Sequence, residues 1–343
     1  MSQQQLVRKR SSASRSNAQT DTVPRDQKYL AAKSPLYEKT LGKVGIYMDS
    51  DLSEPVSEDK AHCDALLVGA QPIPSDSLFH GNRFNYTCKR LRRRNEAMLL
   101  RDVTPVVTPS PELLFSYGAK NLEHLVEEIN ASWYKCLPLI AKGSNPQPDF
   151  FAGFQESAFS PTQLRKLEPF IGEFQLTHFM ATEWVLFPFL TCEVKCGQEA
   201  LNIADRQNAH SASTAVNGVV ELYRAVSRQD EVDKRILAFS ISHDERNVRI
   251  YGHYASIQED KTTFHRHLVK AFDFTSENGK DRWTAYKFTR NVYDIFAPQH
   301  LQRIRAAVDQ LPDPDAVTGL PLLQDSQAEQ GDSQSTFPLS QIK

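Results

Sequence analysis

The run WVLFPFLTCEVKC, Trp184 to Cys196, constrains the fold more than any other stretch of the chain. Its nearly unbroken apolar and aromatic character reads as a buried strand. Yet Glu193 and Lys195 stand inside it. Side chains alternate along a strand, so Thr191, Glu193 and Lys195 share one face while Cys192, Val194 and Cys196 share the other. Taking a carboxylate and an ammonium out of water costs on the order of several kcal/mol per ion before pairing recovers any of it. The plain alternative, an exposed ion pair on an edge strand, fits poorly with apolar neighbours on both faces. A built site would explain why a core strand carries both charges.

The elements around this strand predict a mixed α/β (α+β) domain with a central mixed sheet flanked by helices. Upstream, Leu122, Leu125, Val126, Ile129 and Trp133 give helical spacing for a helix over about 117–137. The turn SNPQPD then leads into the strand pattern FFAGF, and 157–183 reads as an irregular insertion. Downstream, a long helix over about 200–228 carries Ala212, Val216, Val219, Tyr223 and Val226 on one stripe. RILAFSIS and NVRIYGHYASI follow as strands joined by the turn HDER, then the strand-like TTFHRHLVKAFDF and a final helical region broken at Pro298. Residues 36–112 read as a mostly helical extension preceding a domain over 113–312. The stretches 1–35 and 313–343 are polar, poor in apolar residues, and expected to be disordered.

Composition narrows the function classes. With 40 basic against 42 acidic residues the formal charge is −2, so any nucleic-acid binding has to use a local patch rather than bulk charge. Two short basic clusters, Arg8–Arg10 and Lys89–Arg94, read as phosphate contacts or nuclear-import signals, or as solvated surface. Five cysteines, an odd number without a CxxC pair, suit a reducing compartment. No stretch has the roughly 20 apolar residues of a membrane span, and the expected location is intracellular, in nucleus or cytoplasm. Motifs for serine hydrolysis, nucleoside-triphosphate binding and HExxH zinc sites do not occur. His265 and His267 alternate on one strand but have no third zinc partner and read as surface.

Chemistry concentrates around Glu193. The nearest upstream acid at a strand start is Asp149, in QPDFF; its plain reading is a turn residue. If the two carboxylates meet on adjacent strands they can hold Mg²⁺ or Mn²⁺ through oxygen, with the Val194 carbonyl as a third ligand. Lys195, on the Glu193 face, can then orient a water and offset phosphate charge.

This Pro-Asp and Glu-x-Lys pattern resembles the PD-(D/E)XK nuclease superfamily, whose core runs helix, three strands, helix, strand. The strings FLTCEVKCG, ADRQNAHS, LAFSISHD, VRIYGHY and WTAYKFTRNVYDI more closely resemble a fungal PD-(D/E)XK nuclease-like family of unknown function, over about 80–312. The resemblance implies a restriction-endonuclease-like core and Mg²⁺-dependent hydrolysis of DNA or RNA. It implies Asp149 and Glu193 as metal ligands and Lys195 as the catalytic lysine. It further implies a first-helix acid, for which Glu127 is chosen over Glu123, and a second-helix glutamine, Gln207, near the metal. The alternative is a catalytically inactive nuclease-fold scaffold, nuclear by its basic clusters, that acts through protein partners.

Overall fold

The computed structural model describes residues 31–49, 52–140, 145–172, 175–196, 201–259 and 261–314. Most of both polar tails, and with them Arg8–Arg10, lie outside the described residues. Among the described residues short helices come first, with α1 (Leu36–Lys43), α2 (Ser57–Val68), α3 (Arg83–Leu91), α4 (Glu96–Asp102), α5 (Thr104–Val107) and α6 (Pro111–Ser116). They are followed by β1 (Leu125–Ile129), β2 (Phe150–Phe154), α7 (Pro161–Ile171), β3 (Leu186–Val194) and α8 (Leu201–Ala225). The chain closes with β4 (Ile236–His243), β5 (Asn247–Gln258), β6 (Lys261–Asp273), α9 (Thr284–Asn291), a π-helical turn over Val292–Phe296 and α10 (Ala297–Val308).

The strands form one mixed sheet in sequence order, β1-β2-β3-β4-β5-β6. Every neighbouring pair is antiparallel except β3 and β4, which run parallel. A parallel pair needs a crossover, and α8 supplies it. Every residue of β3 is buried, as its apolar run requires. On one face of the sheet α8 packs against β3 and β4. Asn208 on α8 accepts from the Thr191 hydroxyl at 2.8 Å and donates to the Ile241 carbonyl and the Ser242 hydroxyl, both at 3.0 Å. The opposite face is covered by α9, the π turn and α10, whose Phe288 and Phe296 rings meet Phe239 edge-on. Among the described residues no helix is long and apolar enough to cross a membrane.

Three expectations are corrected. Residues 117–137 are not a helix: a short 3₁₀ turn over Lys120–Leu122 leads into β1, which Asn130 ends with its left-handed φ of 55°. Five backbone-paired positions, from Leu125↔Phe154 to Ile129↔Phe150, decide the matter over the local periodicity. The insertion is not wholly irregular, because α7 begins with a capping box in which Ser160 and Gln163 satisfy each other's backbone amides, with Pro161 in the first turn. Finally, the chain is not broken at Pro298. Pro298 lies in the first turn of α10, and the π turn just before it absorbs the ring's missing N–H, so α9 runs on into α10.

Candidate active site

The site grows from the register of β2 against β3. Phe150 pairs with Cys192, so one step outward sets Asp149 opposite Glu193. Opposed residues of an antiparallel pair project to the same face, and Lys195, two residues beyond Glu193, returns to it. The Lys195 N–H donates to the His243 carbonyl at 3.0 Å, which extends the parallel ladder with β4 and fixes the lysine backbone. The Lys195 ammonium lies 3.9 Å from Asp149 Oδ2 and 3.7 Å from Glu193 Oε2. It donates to the Val194 carbonyl at 2.6 Å, and the Val194 N–H donates to Asp149 Oδ2 at 2.8 Å. The two carboxylates therefore surround the amine at ion-pair distance, beyond direct hydrogen-bond reach.

All three groups are interior: Asp149 is 2% exposed, and Glu193 and Lys195 are each 1% exposed. At that burial each charge is tolerated only because opposite charges and backbone dipoles stand beside it. A helix contributes as well. Glu96, the first residue of α4, brings Oε1 to 3.8 Å from the same ammonium, and its side chain keeps 31% of its exposure. Glu96 is thus the edge by which the interior cluster reaches the surface. The sequence reading missed it by assigning the stretch to the N-terminal extension. The available signal was Asn95 before Glu96, a helix-start pattern in which the Asn95 side chain accepts from the Met98 N–H.

The acid expected from the first helix does not join the cluster. Glu127 sits on a strand, not a helix, and its register with Ala152 and then Leu190 sets it on the face opposite Glu193. There its carboxylate accepts from the Ser110 hydroxyl and the Glu112 N–H. Glu123 caps the 3₁₀ turn ahead of β1. Gln207 is buried on α8, and its Oε1 has no hydrogen-bond partner among the described residues; its neighbour Asn208 carries the hydrogen bonds to the sheet. His265 is buried rather than surface, stacked between the Tyr47 and Tyr254 rings at 5.5 and 5.6 Å.

Neighbouring groups set the local electrostatics. Tyr37 of α1 hydrogen-bonds His210 of α8 at 3.2 Å, and burial, with the Glu193 charge second, holds its phenol well above the ordinary range. Arg206 fastens the same segment, pairing with Glu38 at 2.8 Å and donating to the Ala32 carbonyl at 3.0 Å. His243 at the end of β4 is buried, its Nε2 2.8 Å from the Thr104 hydroxyl, and burial lowers its pKa. Burial is also the first cause that pushes His253 down to about 3, with the Arg266 charge adding to it. Such an imidazole takes up its proton in the unfolded chain, near pH 6.5, before the folded chain can. Stability is therefore complete above pH about 6.5 and is lost as pH falls from there toward about 3 for His253. The expected result is a melting temperature that falls steadily between pH 7 and pH 5, measured by scanning calorimetry; a flat or rising profile would contradict it.

Exposed cations precede Glu96 in the sequence. In the run before Glu96, Lys89, Arg92, Arg93 and Arg94 are exposed, whereas Arg90 is committed to Asp102 at 2.6 Å. Among known proteins, residues 83–308 match the family model described as Domain of unknown function (DUF7924), a match that includes α3, α4 and the whole sheet. No curated protein and no solved structure matches the chain.

Proposed function

We propose, for a chain that belongs to the DUF7924 family, hydrolysis of nucleic-acid phosphodiester bonds with the help of a hard divalent cation. The observation that carries this reading is the convergence of Asp149 and Glu193, from adjacent strands, on the Lys195 ammonium. The succession of three strands, α8 and a fourth strand follows the later part of the order that the PD-(D/E)XK resemblance implies, without the helix expected over 117–137.

The donor set fits the cation. Among the described residues no three His, Cys, Asp or Glu side chains gather into a metal site, so the protein ligands would be two carboxylates, Asp149 and Glu193, with the Val194 carbonyl. An all-oxygen set of one or two carboxylates, completed by water, is the habit of Mg²⁺ and of the similarly hard Mn²⁺. When bound, such an ion supplies Lewis-acid polarisation and charge neutralisation at a phosphoryl oxygen. Lys195, oriented by its bond to the Val194 carbonyl, offsets the charge that develops on the phosphoryl group. Glu96, at the open edge, accepts a proton from the attacking water. Burial of the trio keeps bulk water from these charges, and Lys89 and Arg92–Arg94 contact the phosphate backbone outside.

Incubating the full chain with DNA and RNA in Mg²⁺, Mn²⁺ or chelator tests the reading. Cleavage that requires the ion is expected; absence of cleavage of every substrate would leave no support for it. A second reading, a catalytically silent nuclease-type scaffold, is favoured by one observation, the near-complete burial of Asp149, Glu193 and Lys195. It predicts neither cleavage nor binding of Mn²⁺.

A further inference from the structure

A separate cavity of about 180 Å³ lies at the opposite end of β4 from Glu193, between α2, the start of β4 and α10. Its walls include Asp59, His62, Arg235, Phe296, His300 and Arg303, and the nearby Glu58 and Gln299 are exposed at its mouth. The acid in this cavity is already used by the fold. Asp59 Oδ1 pairs with Arg235 at 2.8 Å, and Oδ2 accepts from the Ile236 N–H at 2.6 Å.

Three other basic groups are not used in this way. His300 is fully buried with its ring stacked on Phe296 at 5.0 Å, and neither ring nitrogen has a hydrogen-bond partner among the described residues. The same is true of Arg303 Nη1 and of His62 Nε2. Buried polar atoms are almost always satisfied, and a buried guanidinium nitrogen without an acceptor is costly. Three unmet groups from two helices therefore belong to residues that line one cavity.

We propose that this cavity binds a small phosphate group, as the free anion or as the head of a small phosphate ester. The chemistry selects it. Arg303 only donates and requires an anionic acceptor. A neutral imidazole presents one donor and one acceptor nitrogen that point in divergent directions, so one His300 nitrogen can meet a small ligand in the cavity. A monoprotonated phosphate presents four oxygens, one bearing an O–H, in a tetrahedral array that can meet groups on His62, His300 and Arg303 from different directions, whereas a planar carboxylate presents only two oxygens. The space holds roughly six waters at about 30 Å³ each, enough for a phosphate and a few more atoms. Burial keeps both His62 and His300 on the neutral side, consistent with these roles. The site shares no residue with the carboxylate cluster and stands or falls independently of the nuclease reading.

Calorimetric titration of the full chain with inorganic phosphate, glycerol phosphate and acetate at fixed ionic strength tests this. Phosphate or its ester should bind one to one and raise the melting temperature, and acetate should do neither. Stronger binding by glycerol phosphate would mark the ester as the preferred form, and equal binding the free anion. Arg303→Met should weaken binding at least about tenfold, the scale of one lost charged hydrogen bond. His62→Gln, at a half-exposed position, should weaken it while leaving the unliganded melting temperature unchanged, which serves if Arg303→Met fails to fold. No phosphate binding, equal binding of acetate, or unchanged affinity in the folded variants would overturn the proposal. So would a crystal grown in phosphate with ordered water alone in the cavity.

Discussion

Glu193→Gln is expected to cut ion-dependent cleavage by about 10²–10³-fold, the scale on which removing one preorganised electrostatic group acts. Glutamine keeps the shape of the side chain within a fully buried strand, so the fold should survive and the loss should fall on turnover. The charge removed is one of the two that face Lys195 from adjacent strands. Glu127→Gln is the internal control. It changes another glutamate of the sheet, on the other face and bonded to Ser110 and Glu112, and should leave the rate unchanged. Rates from single-turnover assays on both variants, with circular dichroism to verify folding, check the pair. Equal losses in both variants would mean that the register of the sheet does not govern activity.

Lys195→Met should produce the largest stability effect. The ammonium is 1% exposed and stands within 3.9 Å of Asp149, Glu193 and Glu96 carboxylate oxygens. Methionine fills similar volume but leaves the carboxylates facing one another without that charge. Removing one partner of a buried ionic cluster costs about 3–5 kcal/mol, or a fall in Tm of roughly 10 °C for a domain of this size. Millimolar Mn²⁺ should restore a substantial part of the loss, because the ion supplies the missing positive charge. Differential scanning calorimetry with and without Mn²⁺ reads both effects. A variant as stable as the parent, or one indifferent to Mn²⁺, would show that the acids and the amine are not electrostatically coupled.

Where one periodicity dominated, the sequence was enough. β3 is legible because an unbroken apolar run has to be buried, β4 and β5 because two strand patterns flank a polar turn, and α8 because its apolar stripe repeats at helical spacing. Glu193 and Lys195 were legible for the complementary reason, as charges a buried strand cannot hold without partners. Asp149 followed from its place at a strand start, and the register of β2 on β3 is what brings it to Glu193. What failed was non-local. The Leu122, Leu125, Ile129 and Trp133 spacing fits a helix, yet β1 pairs with β2, and no local pattern contains that pairing. Glu127 was misplaced along with it. Glu96 was out of reach for the same reason. Its helix start is written in Asn95–Glu96, but its approach to Lys195 depends on how α4 packs at the end of β3.

The most direct measurement is an anomalous difference map from a crystal of the full chain soaked in Mn²⁺. A single strong peak is predicted between the Asp149 and Glu193 carboxylates, with the Val194 carbonyl at coordinating distance and ligand distances of about 2.0–2.2 Å. No peak at saturating Mn²⁺, or one bound by other residues while Lys195 stays between the two acids, would contradict the account.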